Sequence, residues 1–121
     1  RPVCRTVSTY TVTGDGSVGI DIGFEPDTDL AYLPRLGVRW ALPAALSQTA
    51  WYGRGPRESY PDKKQAALID VFQADVADLH EPYVRPQENG AHADCRWLTL
   101  TDERGLGLLF AANTVFSFTA H

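Results

Sequence analysis

Residues 51–64 read WYGRGPRESYPDKK, and residues 83–97 read YVRPQENGAHADCRW. Each string sets aromatic rings beside planar hydrogen-bonding groups and charges of both signs. A sugar presents apolar ring faces and a rim of hydroxyls. Its recognition calls for aromatic platforms flanked by Arg, Asn, Gln, Asp or Glu. The first string supplies Trp51, Tyr52, Arg54, Arg57, Glu58, Tyr60 and Asp62; the second supplies Tyr83, Arg85, Gln87, Glu88, Asn89, Arg96 and Trp97. The carbohydrate-binding candidates are Trp51, Tyr52, Arg54, Glu58, Glu88, Arg96 and Trp97. The same composition also suits a rigid structural corner. In that reading Arg54 or Arg57 pairs with Glu58 or Asp62, the aromatics are core, and Pro56 and Pro61 stiffen the turn.

Other chemistries find less support. The histidines are His80, His92 and His121, and no GxSxG elbow accompanies them. The closest metal-like clusters, His80-Glu81 and His92-x-Asp94, lack the spacing that sets two imidazoles on one helical face, and they read as solvated loop residues. Gly53-x-Gly55-Pro56 is too short for a phosphate loop, and its proline removes an amide. Glycoside hydrolysis needs two carboxylates at a set separation. Glu58, Asp62 and Glu88 are carboxylates, but sequence places no pair of them, so no catalytic residue is assigned.

The elements that would carry these groups are strands. Residues 7–13 alternate, with Val7, Thr9 and Thr11 on one side and Ser8, Tyr10 and Val12 on the other. Gly14-Asp15-Gly16 is a turn signal, and Val18, Ile20, Ile22 and Phe24 follow at period two, which predicts a hairpin. Further strands are predicted over residues 37–42 (with Val38 and Trp40 on one face), 48–52, 71–76, 96–101, 106–111 and 115–119. A short helix is predicted within residues 63–70, and residues 81–90 read as a proline-punctuated loop. Short strands separated by turn signals indicate an all-β antiparallel sandwich.

The bulk numbers fit one domain of 121 residues with an ordinary apolar content of 44%. A net charge of −4 argues against nucleic acid or an anionic membrane as partner. No apolar run reaches the roughly 18 residues of a membrane span. Cys4 and Cys95 form no CxxC pair and read as small buried side chains in a reducing cytoplasm, with a disulfide left open. The chain has no methionine and stops just after a strand pattern; both suggest a piece of a longer protein.

The order LPRLGVRWALP, WYGRGPRESYPDKKQAA, PYVRPQENGAHADCRWLTLTDERGLGLLF, FSFTAH resembles the C-terminal sandwich (small chain, or domain 5) of glycoside hydrolase family 2 β-galactosidases. The match runs over about residues 30 to 121. Ser59 stands where that family usually has Asn, Lys63 where it has Arg, and His92 near where Arg is usual; Arg to Lys loses the bidentate fork. The resemblance implies a partial antiparallel supersandwich, similar to galactose mutarotase, spanning residues 1–121 and following a TIM barrel that this chain lacks. It implies a parent that hydrolyses terminal β-D-galactosides such as lactose with retention, through glutamates outside this chain. This segment would then be structural, with sugar contact secondary. It implies no cofactor here, although the parent family often uses Mg and Na ions. The implied partners are a β-galactoside or galactose and the remainder of the parent chain, with a homo-oligomer left open. One rival is a free-standing carbohydrate-binding or mutarotase-like module, in which His80 or His92 would converge with Glu88. Another is a purely structural module at an oligomer interface.

Overall fold

The alternation of residues 4–26 folds into an antiparallel hairpin, β1 (Cys4–Val12) and β2 (Val18–Pro26), in register from Val12↔Val18 to Cys4↔Pro26. This is from a computed structural model, which describes residues 4–27, 32–33 and 35–121. The turn closes through Thr13 N–H donating to Ser17 O at 3.0 Å. The Asp15 carboxylate accepts the Thr13 hydroxyl and the Ser17 amide and hydroxyl, which draws its pKa down to about 2. Tyr10, Val12, Val18, Ile20, Ile22 and Phe24 share one face of this hairpin, which lies in a first unit within residues 1–40.

The second unit, residues 41–121, is built on a four-stranded antiparallel sheet. Its strands are β3 (Gln48–Gly55), β4 (Leu68–Asp75), β5 (His92–Thr101) and β6 (Gly107–Phe118), in the order β4-β3-β5-β6. The fold class is therefore all-β and antiparallel, in two sheets consistent with a β-sandwich.

Alternation sorts the side chains of the four-stranded sheet onto two faces. Trp51 lies opposite Phe72 on β4 and Leu98 on β5, and Leu98 lies opposite Phe110 on β6. With Leu79, Cys95, Phe116, Phe118 and Ala120 they form the core. Tyr52 lies opposite Val71 and Trp97, and Thr99 lies opposite Leu109, on the outer face.

Three expectations change. Residues 37–42 are not a strand: Val38 and Trp40 are exposed, and this stretch has no ladder partner among the described residues. The predicted helix shrinks to a 3₁₀ turn, Lys64–Ala66, because β4 begins at Leu68, where pairing with Gly55 claims the backbone. A second 3₁₀ turn, Val76–Leu79, was not foreseen; Val76 N–H donates to Ser47 O at 2.7 Å as β4 ends. The two predicted C-terminal strands are one, β6, in which Phe116 packs against the core and Val115 is exposed.

Candidate functional site

The corner after β3 holds most of the charged groups singled out by sequence. Arg54 leaves the strand with its guanidinium directed at β5. Its Nε donates to Asp94 Oδ2 at 2.6 Å, and its Nη1 donates to the carbonyls of Lys64 and Ala67, each at 2.9 Å. Lys64 Nζ reaches the other oxygen, Asp94 Oδ1, at 2.7 Å. Asp94 adopts a left-handed φ of 53° where the β5–β6 register shifts, between His92 and Trp97. Asp tolerates that conformation better than most residues. The Lys64 and Arg54 hydrogen bonds hold its carboxyl below the ordinary range. The sequence reading considered Asp94 only beside His92 as a metal pair; the structure gives it to two cations instead.

Glu58 makes the second cluster. Its side chain is 6% exposed and accepts from Lys63 Nζ, from the Tyr83 hydroxyl and, at 2.8 Å, from the Gly90 N–H. Burial works against the charge, yet these donors outweigh it and keep the carboxyl below the usual glutamate value. Lys63 also lies over the rings of Tyr60 and Tyr83, and the Glu58 contact raises its pKa. Gly90 presents its amide with φ +73°, and a Cβ there would meet Leu79 O at 2.6 Å. That position requires glycine. Next to Glu58, Ser59 is buried, with its N–H on Ala91 O at 2.7 Å and its hydroxyl accepting Ala93 N–H at 2.9 Å. The pairing expected of Arg54 or Arg57 with Glu58 or Asp62 is thus replaced. Arg54 takes Asp94, Arg57 lies 3.9 Å from Glu81, and Glu58 takes Lys63.

The third cluster is aromatic. Trp51 and His92 are each 1% exposed, with ring centroids 4.4 Å apart, and His92 stacks on Phe118 at 5.2 Å. Trp51 Nε1 donates to Arg54 O at 3.0 Å, and His92 Nδ1 lies 3.2 Å from the same oxygen. A carbonyl only accepts, so Nδ1 carries the imidazole proton. Burial lowers the His92 pKa and pushes the Cys95 thiol up to about 12. His92 is therefore a core residue of β5 and not a solvated loop histidine. At neutral pH His92 and Cys95 are uncharged, while Glu58 and Asp94 stay ionised. None of the four is poised as a general acid or as an anionic thiol nucleophile.

The remaining candidates lie elsewhere. Tyr52 is half exposed on the outer face with the Arg96 guanidinium 5.0 Å over its ring, and Arg96 Nη1 donates to Asp94 O at 2.7 Å. Trp97 is directly opposite Tyr52. Glu88 is exposed, and its charge acts on Tyr60. Sequence reasoning missed the roles of Asp94, Tyr83, Ser59 and Gly90. The Glu-Asn-Gly run at residues 88–90 was the available signal for the last. Among the described residues no group of three or more His, Cys, Asp or Glu could hold a metal ion.

A family model described as the β-galactosidase small chain matches residues 1–121. The chain belongs to that family. It is 43% identical to a β-galactosidase of Vibrio cholerae over 94 residues, 78% of this chain and 9% of that protein. It is 38% identical to the β-galactosidase of Priestia megaterium over 101 residues, 84% of this chain and 10% of that protein. The β-galactosidase of Staphylococcus xylosus is 36% identical over 121 residues, 99% of this chain and 12% of that protein. The chain thus spans about a tenth of the length of these curated relatives. No helix among the described residues is long and apolar enough to cross a membrane.

Proposed function

We propose that this chain is a scaffold segment of a β-galactosidase, one partial domain of a mutarotase-like supersandwich, and that its parent hydrolyses terminal β-D-galactosides such as lactose with retention. The observation that carries the activity is the small-chain family match over residues 1–121. The scaffold role is supported by the corner itself. Arg54, Glu58, Lys63, Lys64 and Asp94 all spend their charges on partners within the chain. The catalytic glutamates, and the Mg and Na ions of the parent family, are assigned to the rest of the parent. The remainder of that chain is then the chief partner, and a homo-oligomer is compatible with this reading. A cytoplasmic location fits the free thiols of Cys4 and Cys95.

Sugar contact is a second part of the reading. Of the sequence candidates, Tyr52, Arg96 and Trp97 lie on the outer side of the sheet, whereas Trp51 lies in the core.

The test uses the natural full-length protein. Its hydrolysis of an aryl β-galactoside is followed by NMR of the released sugar. β-Galactose appearing first supports the proposal. α-Galactose appearing first overturns retention. Anomer exchange without hydrolysis selects the mutarotase-like alternative.

A further inference from the structure

The outer face of the four-stranded sheet carries a depression that the corner does not use. Its volume is about 400 Å³, and besides Thr49 and Ala74 its lining takes six residues of this one face, Gln48, Ala50, Gln73, Asp75, Thr99 and Thr101. The register explains why these six meet. Gln48 is opposite Asp75 and Thr101, and Ala50 is opposite Gln73 and Thr99, so all project from one face. Ala50 has the shortest of these six side chains. Two carboxamides, a carboxylate and two hydroxyls make a polar rim. One same-face step further along the strands, about 7 Å, Tyr52 and Trp97 stand directly opposite each other.

These groups are also unengaged. The side chains of Trp97, Gln48, Gln73, Asp75 and Thr101 make no hydrogen bond, ion pair or ring contact among the described residues. Thr99 donates to Ala50 O at 3.3 Å and keeps its acceptor lone pairs. Tyr52 differs, because Arg96 already covers its ring. The half-buried indole of Trp97 is therefore the aromatic surface left for a ligand.

The chemistry of the rim selects the ligand class. Asp75 is the one formal charge in the depression's lining, so an anion finds no cation there. A wholly apolar partner would strip water from five polar side chains without pairing them. A neutral polyhydroxylated ring satisfies both parts, with one apolar face on an indole and hydroxyls toward carboxamides and threonines.

We propose that the Trp97 indole and the rim formed by Gln48, Gln73, Asp75 and Thr99 are a carbohydrate platform for a neutral hexopyranose. The choice of galactose rests on the β-galactosidase reading; the sugar class rests on this geometry.

The experiment is fluorine NMR of the full-length protein labelled with fluorotryptophan, with Trp97 assigned through Trp97→Phe. The probes are methyl β-galactoside and lactose, with hydrolysis of an aryl β-galactoside measured in parallel. A saturable shift of the Trp97 signal is expected, with affinity weakened about tenfold by Gln73→Leu, the loss of roughly one hydrogen bond. Thr99→Val gives a second, independently folded check. A Trp97 signal silent at sugar concentrations that saturate hydrolysis overturns the platform and leaves the activity reading intact. So does a shift whose affinity neither variant changes. Saturable shifts without any hydrolysis retain the platform and sink the activity reading.

Discussion

The two faces of the four-stranded sheet come from the same strands and differ in nearly every other respect. The inner face is packed over its centre, with Trp51 locked between His92, Phe72 and Phe118. The outer face keeps Val71 56% and Leu109 68% exposed, beside polar side chains without partners. Two adjacent residues, Trp51 and Tyr52, therefore serve opposite ends. An aromatic next to arginine in sequence is no guide to ligand contact until the strand register says which way it points.

The sharpest way to break this contrast is Trp51→Ala. Removing a buried indole from a packed core costs about 3–5 kcal/mol. It also leaves Arg54 O without the indole N–H. Urea unfolding should show a large fall in midpoint, and a change below about 1 kcal/mol would mean the core is not where the structure puts it. Arg54→Ala is next. It leaves the carbonyls of Lys64 and Ala67 without their donor and Asp94 with one cation, for an expected loss of about 2–3 kcal/mol. Arg54→Lys should recover only part, because an ammonium cannot span both carbonyls and the carboxylate. A cycle with Asp94→Asn measures the coupling.

The pH dependence is smaller at each site but has a definite sign. Glu58 and Asp94 have folded pKa values below their ordinary ones. Their stabilisation is thus complete above about pH 4.3 and is lost as pH falls through the folded values. His92 is lowered too, so its contribution is complete above about pH 6.5 and declines as pH falls toward its folded value. Thermal unfolding across this range should show both losses, and Glu58→Gln should flatten the lower one. A protein that grows more stable on acidification would contradict the assignments. Least affected is the outer face: Val71→Ser should change stability by no more than about 1 kcal/mol in the same unfolding assay.

Much of the fold was legible. The period-two run from Val18 to Phe24 and the Gly14-Asp15-Gly16 turn forecast the first hairpin, because a two-residue period has one physical outcome when one face is apolar. Residues 37–42 show the converse. Alternation there gives strand propensity, but a strand exists only with a neighbour, and neighbours are not written locally. The same limit hid Asp94. Its partner Arg54 is 40 residues away in sequence, and they meet only because β3 pairs with β5. The string at residues 51–64 was recognisable as a corner or a sugar site from composition. Register then divided it, placing Trp51 inside, Tyr52 outside and Arg54 in the strand-to-strand clamp.

The central claim is that division, and indole N–H exchange in the full-length protein tests it directly. With and without methyl β-galactoside, the Trp51 N–H should exchange slowly and unchanged, while the Trp97 N–H should exchange fast and slow on sugar binding. A Trp51 N–H that exchanges freely, or that alone responds to sugar, would contradict the account and turn the corner string from scaffold into ligand contact.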